Sequence, residues 1–266
     1  MLDLEFAELS DVGRVRDHNE DYFGHWLPSS ETEGRTQGWL FTVADGVGGE
    51  ELGEVASKAA VDSLIAGFRV APRGEAHTVL MPRLVQKANT EIYELGRAAS
   101  PGGSRMATTV VACAFRYDRV VVAHVGDSRC YLIRRGAALQ VTRDHTVVAE
   151  QVRLGLLSAK EAAEAQTRHL LSRSLGRDLF VNVEIDDRHL EVDDIILMCS
   201  DGLHGPLQGN EIGEIVRWNP DLTSAARKLI ALANERDGGD NVSVQLIRVR
   251  GVERMGMYRG RPYKLR

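Results

Sequence analysis

Residues 38–49 read GWLFTVADGVGG, an unbroken apolar run that stops on a bare carboxylate, Asp45, and passes straight into a glycine-rich turn. A single Asp-Gly after a strand is ordinary turn chemistry. This chain repeats the arrangement. LFTVADG ends at Asp45, VVVAHVGDS at Asp127 and IILMCSDG at Asp201, while GGDNVSVQLI places Asp240 at the start of a strand instead of its end. Antiparallel neighbours bring opposite ends together, so strand ends and a strand start can share one rim of a sandwich. Four aspartates flanking the most hydrophobic strands imply a shared carboxylate cluster. Such a cluster repels itself unless it is protonated or neutralised, and a multivalent cation is the usual remedy. With no His or Cys among the donors, the hard ions Mg²⁺ or Mn²⁺ are favoured over Zn²⁺. The adjoining glycines let backbone carbonyls and waters approach an ion closely.

The segments around these four predict the fold class. LEFAELS and GWLFTVAD have strand-like lengths, and residues 52–68 place Leu52, Val55, Ala56, Ala59, Ala60 and Leu64 at helical spacing. A second helix is expected over 80–97. MATTVVACAF, RVVVAHVG, RCYLIRRG and ALQVT then follow with short turns, which implies antiparallel hairpins instead of βαβ crossovers. From Asp144 a helix, a glycine turn and a second helix are expected, the latter opened by Ser158 with Glu161 three residues on, a capping box. Strands return at FVNVEID and DDIILMCS, helices at about 209–217 and 222–236, and a last strand at NVSVQLIRV. No repeat, low-complexity segment or linker interrupts the chain. One α+β domain is expected, with only the tail after about residue 251 detachable.

Composition narrows the function classes. A chain of 266 residues with 43% hydrophobic and 27% charged content is ordinary for a globular protein, and a net charge of -5 gives no reason to expect nucleic-acid binding. The charge is uneven: six basic residues face Glu253 alone from position 250 on, a local +5 that leaves -10 for the first 249 residues. A basic tail of this kind reads as a solvated end, with docking to a partner or an anionic surface as the alternative. The acidic start MLDLEFAELS is unlike a secretory leader, and no stretch approaches the length of a membrane span. Cys113, Cys130 and Cys199 sit singly in apolar runs, as small buried residues of a reducing, cytoplasmic compartment would. There is no HExxH, no paired Cys/His spacing and no GxxxxGK[ST].

A second charged cluster, SDVGRVRDHNED at 10–21, mixes Arg14 and Arg16 with Glu20 and Asp21. It is either a solvated loop or a place where carboxylates meet metal and a guanidinium fork meets phosphate oxygens. RVRDHNED, VADGVGG, ATTVV, VGDSR, TRDHT, CSDGL and GGDNVSV stand in one order along residues 5–249. Any one of these is weak; the ordered set resembles the metal-dependent serine/threonine protein phosphatases of type 2C, in their compact bacterial form.

The resemblance implies a four-layer αββα sandwich, two central, mostly antiparallel sheets flanked by helix pairs, with a binuclear Mn²⁺ or Mg²⁺ centre at one rim. By the same likeness Asp45 bridges two metals, Asp201 and Asp240 complete the first, and Glu20 with the carbonyl of Gly46 serves the second. Asp127 corresponds to the ligand of a third, weaker ion shared with Asp201. Arg16 would hold the substrate phosphate, Asp21 and Asn241 would fix metal-bound waters from behind, and the helical insert 144–175 would be a mobile flap on a phosphatase domain spanning 1–250, followed by the basic tail 251–266. A hydroxide held between two metals would attack phosphoserine or phosphothreonine in phosphoproteins, opposing a serine/threonine kinase, in a protein expected to be monomeric.

Two positions depart from the pattern. Many eukaryotic relatives carry a histidine after the bridging Asp-Gly; here it is Val47, so the acid for the leaving alcohol is unassigned. The usual Gly-Thr-Thr reads Ala107-Thr108-Thr109. His124 and His145 are read as structural, and Trp26, Trp39 and Trp218 as core or edge packing. A haloacid-dehalogenase type of phosphatase would need a second Asp after VAD and a parallel sheet. A phosphoprotein-binding scaffold without turnover would be expected to have lost metal ligands, and Glu20, Asp45, Asp127, Asp201 and Asp240 are all present.

Overall fold

The first strand pairs with the last long one. In the computed structural model, which describes residues 2–47, 52–99, 106–258 and 261–264, β1 (Asp3–Asp11) runs antiparallel to β10 (Val242–Gly251). The sheet continues from β10 through β9 (Ile195–Cys199) and β6 (Arg129–Arg134) to β7 (Ala137–Gln140). A second five-stranded sheet runs β2 (Asp21–Trp26), β3 (Trp39–Asp45), β4 (Val110–Arg116), β5 (Arg119–Val125), β8 (Glu184–His189), antiparallel throughout. β3, β4 and β5 are buried on both faces, which is why they read as continuous apolar runs and not as alternation.

Helices close each outer face. α2 (Gly53–Arg69) and α3 (His77–Ala99) lie on the second sheet, where Ala56, Ala60 and Leu64 repeat at helical spacing against Leu40, Ala112 and Ala123. α7 (Gly209–Trp218) and α8 (Leu222–Arg236) cover the first sheet with Ile212, Val216, Leu229 and Ala233 against Leu197 and Leu246. Between the sheets a third apolar cluster centres on Phe41, Cys113, Cys130, Ile196 and Ile247. The architecture is the four-layer αββα sandwich. Among the described residues no helix is long and apolar enough to cross a membrane.

Several elements differ from the sequence reading. β8 begins at Glu184, four residues later than FVNVEID suggested, because Phe180 is exposed and residues 180–183 belong to an irregular connection. α3 starts at His77 and carries Pro82 inside it. α1 (Glu31–Thr36) was not anticipated, although Ser30 caps it by accepting the Glu33 N–H. α6 (Asp201–His204) is a single turn opening on the SDG aspartate. The 144–175 segment forms α4 (Val147–Arg153) and α5 (Ala159–Glu164), and the Ser158–Glu161 capping box is present. Trp218 is exposed instead of packed, with the Arg217 guanidinium 5.5 Å from its ring. Beyond β10 the tail folds as a hairpin, β11 (Met255–Tyr258) with β12 (Arg261–Lys264), paired only with itself.

Phe41 contacts Phe6 and Phe115 edge-on, at 5.1 and 5.8 Å between ring centres, and has no solvent exposure. Truncation leaves a cavity between the sheets that neither can collapse to fill. Phe41→Ala is expected to lower unfolding free energy by about 3–5 kcal/mol, read from the urea midpoint at unchanged slope.

Candidate active site

The strand register decides which side chains meet. Asp21 opens β2 directly opposite Asp45 at the end of β3. Across the sandwich, β9 ends one residue before Ser200-Asp201, while Asp240-Asn241 leads into β10, the strand beside it. Asp127 lies in the turn between β5 and β6. Both sheets therefore present these acids on the same rim. Asp45 is half-buried among Asp21, Asp201, Asp127 and Asp240, all near enough to act on its charge, and its carboxyl contacts that of Asp201.

The backbone at Asp45 is fixed on both sides. Its N–H donates to Thr109 Oγ1 at 3.1 Å, and its carbonyl accepts from Thr109 N–H at 2.8 Å and Thr108 Oγ1 at 2.7 Å. Gly46 N–H donates to the Glu20 carbonyl at 3.1 Å. A β-carbon at Gly46 would stand 2.6 Å from the Gly53 carbonyl and 2.8 Å from the Glu20 carbonyl, so a side chain is excluded from this cradle. Gly48 and Gly49 of the opening stretch lie outside the described residues.

Glu20 and Arg16 come from the loop after β1. The Glu20 carboxylate sits apart from the aspartates, beside His18 Nε2 at 3.4 Å and in one group with Glu54. Asn241 holds this loop. Its Oδ1 accepts the Glu20 N–H at 2.8 Å, and its Nδ2 donates to the carbonyls of Val12 and His18 at 2.9 and 3.0 Å. Arg16 closes its fork on Asp240, Nε 2.9 Å from Oδ1 and Nη2 donating to Oδ2 at 3.0 Å. The guanidinium expected for phosphate is thus held by an acid expected for metal.

The electrostatics follow from burial. Burial and the charges of Asp21, Asp201, Asp127 and Asp240 push the Asp45 carboxyl well above the carboxylate range. Burial raises Asp127 to about 7, with Asp201 and Asp144 adding to it. Burial likewise raises Asp21 to about 7, aided by Asp201 and Asp240 and opposed by hydrogen bonds from Ser200 and Ser243. For Asp201 burial works in the same direction and is the largest single effect, but His169, with Nδ1 3.7 Å from Oδ2, His204 and the contact with Asp45 together outweigh it and hold the group below its usual range. Oxygen donors around a glycine cradle, with Asp45, Asp21 and Asp127 pushed towards protonation by burial and by their acidic neighbours, fit a hard divalent cation.

His169, Thr108, Thr109 and Ser200 were not singled out as site residues from sequence. The two threonines sat inside a quoted motif without a role, and His169 carried no spacing signal. A second group, His124, His145 and Glu184, has its donor atoms within 4.8 Å of one another. Its hydrogen bonds argue against an ion. Gly126 N–H donates to His145 Nδ1 at 3.1 Å, which leaves the ring proton on Nε2, 3.2 Å from Glu184. A histidine that binds metal through Nε2 needs that proton on Nδ1.

Residues 14–240 match the family described as Protein phosphatase 2C. The serine/threonine phosphatase stp of Listeria innocua is 34% identical, over 95% of this chain and 96% of that protein. A solved serine/threonine phosphatase of S. agalactiae superposes with TM-score 0.84 at 32% identity, over 92% of this chain and 99% of that one. The catalytic domain of the phosphatase PstP, solved in complex with two manganese ions, superposes with TM-score 0.79 at 32% identity, over 94% of this chain and all of that one.

Asp21 and Asp127 favour the protonated form in the fold, so their contribution to stability is present at low pH and is lost as pH rises through about 7. His77, His145 and His204 are pushed down to about 4, and they lose stability in the other direction, on acidification below their ordinary 6.5. Chelator-treated protein is expected to melt lower at pH 8 than at pH 7, a window in which the histidines are mostly neutral in both states, by on the order of 1 °C. Added Mn²⁺ should close that gap in scanning calorimetry.

Proposed function

Since the chain belongs to the protein phosphatase 2C family of serine/threonine phosphatases, we propose that its acid rim holds a pair of divalent ions that hydrolyse phosphoserine and phosphothreonine in phosphoproteins. The carrying observation is the placement of half-buried Asp45 among four other aspartates, with its backbone pinned by Thr108, Thr109 and Glu20. Asp45 would serve both ions, since it lies between Asp201, which follows β9 of the first sheet, and the Gly46–Glu20 cradle of the second. Asp201 and Asp240 would hold the first, Glu20 and the Gly46 carbonyl the second, and Asp127 with Asp201 a third, weaker one. Bound there, Mn²⁺ or Mg²⁺ would supply a hydroxide nucleophile at neutral pH and offset charge on the phosphoryl oxygens. The PstP structure with two manganese ions supports this reading for a chain that matches it over 94% of its own length.

Arg16 takes the phosphate. Its fork already fits two oxygens of a carboxylate, and a phosphate presents the same geometry. A cation drawn to Asp240 would weaken that acid's hold on the guanidinium and turn it towards substrate. Asp21 and Asn241 act from behind, the first held by Ser200, the second holding the Arg16–Glu20 loop.

The 144–175 flap belongs to the same machinery. It is anchored at its base, Val147 N–H to the Leu170 carbonyl at 2.8 Å and Ser172 N–H to the His145 carbonyl at 2.9 Å, and it carries His169 to Asp201. The phosphatase domain is 1–250, and the tail hairpin is an appendage with no sheet partner in it. The enzyme would oppose a serine/threonine kinase, as a monomer, on the cytoplasmic side. Cys113, Cys130 and Cys199 are buried free thiols, consistent with a reducing compartment.

Metal-stripped protein given a phosphothreonine peptide is expected to release phosphate only after Mn²⁺ or Mg²⁺ is restored. Asp45→Ala should lower kcat by at least about a thousandfold, the scale of losing one preorganised electrostatic contributor. Arg16→Ala should raise KM about tenfold and change kcat less, consistent with lost binding of a charged group worth roughly 1.5–3 kcal/mol. Phosphate release that persists in chelator, or in Asp45→Ala, would reject the mechanism.

A further inference from the structure

Three hydroxyls, two fully buried and one half-buried, cross the end of the first sheet. Ser10 on β1 and Ser243 on β10 are register partners, with hydroxyl oxygens 2.7 Å apart. Ser200, the residue after β9, continues the row: its Oγ accepts the Ser243 N–H at 2.9 Å. Neither Ser200 nor Ser243 has any solvent exposure. Burying hydroxyls is costly unless each is partnered, and here each is.

The row ends on the other sheet. Ser200 Oγ donates to Asp21 Oδ2 at 2.7 Å, and the Ser243 hydroxyl lies near enough to favour the ionised form of the same carboxylate. Asn19 closes the circuit, its Nδ2 donating to Ser10 Oγ at 2.7 Å and its Oδ1 accepting the Asp21 N–H at 3.0 Å. The Nδ2 group can only donate, so Ser10 accepts there and keeps a hydrogen that it can offer to Ser243. Ser200 alone bonds the Asp21 carboxylate directly, and β10 and β1 stand behind it through the Ser243 N–H and the Ser10–Ser243 hydroxyl pair. Asp21 stands between the two ligands its sheet would contribute, following Glu20 in the chain and facing Asp45 in register. Ser200 immediately precedes Asp201, and Ser243 lies three residues past Asp240.

We propose that the Ser10–Ser243–Ser200 row is a spacer: through Asp21 it fixes the separation between the acids of the first sheet, Asp201 and Asp240, and those of the second, Glu20 and Asp45. The inference rests on the two-ion reading above. The serines touch neither substrate nor ion; they are positioning residues, and they set how far apart two ions stand.

The test uses the full chain loaded with Mn²⁺. Electron paramagnetic resonance reads the coupling between paired Mn²⁺ ions, calorimetric titration reads the affinity of the second ion, and kcat and KM are taken with p-nitrophenyl phosphate. Ser243→Ala is expected to alter the coupled spectrum, weaken the second ion about tenfold and lower kcat about tenfold, the lower end of outer-partner effects, with KM within about twofold. Ser10→Ala, at the far end of the row, should shift the same quantities less. Ser10→Thr, which keeps the hydroxyl at a half-buried position, should restore them. Wild-type coupling and second-ion affinity in both alanine variants overturn the proposal, even if melting temperature falls, because that leaves the serines a packing role only. Wild-type protein with a coupled ion pair but no phosphate release would sink the phosphatase reading and leave the spacer standing. A wild type that binds fewer than two ions overturns both.

Discussion

Carboxylates taken out of water and set against one another cannot all remain ionised, and the molecule is arranged around bearing that repulsion. The chain contributes Asp45, Asp21, Asp127, Asp201 and Asp240 from segments spread over its length, and the register of two antiparallel sheets delivers them to one rim. Around them the backbone is fastened by directional bonds instead of apolar contact alone. Thr108 and Thr109 clamp the peptide of Asp45, and Asn241 spends its amide on three backbone groups of the Glu20 loop. Rigid mounting of this kind keeps the acids from relaxing apart, which would relieve the repulsion and destroy the site.

The charges that do oppose the acids are held so that they can be displaced. Arg16 is half exposed and shares both its bonds with Asp240, and His169 reaches Asp201 from an exposed flap. Neither is locked in the interior, as Arg129 is by its two bonds to Asp144 at 2.9 and 2.6 Å. The scaffold alternative, a chain that binds phosphoproteins without turnover, would be expected to show erosion at this rim. The rim retains every acid and the threonine clamps behind them.

Much of this was legible in the sequence because the decisive features are local. Apolar runs of strand length that stop at Asp45 and Asp201 mark strands buried on both faces and the turns that end them, and the Ser158–Glu161 spacing marks a helix start. What resisted reading depends on distant partners. Phe180 sits in an apolar run yet faces solvent, and Trp218 ends an amphipathic helix on the outside, because each residue's burial is set by what lies opposite it in space. Arg16 closing on Asp240 joins positions 224 residues apart, and no local pattern announces it. The three serines are invisible for the same reason: only the β1–β10–β9 order turns three ordinary residues into a row.

The pairing of the first strand with the last long one also governs when the molecule can begin to work. Arg16 and Glu20 emerge early in synthesis, but Asp240 and Asn241, which hold them, come 224 and 221 residues later. Contacts of such long range close late and make folding slow. A ribosome-bound nascent chain still lacking β10 has the second sheet and most of its acids but no closed rim, so the acid rim cannot assemble until residues 240 and 241 have been made.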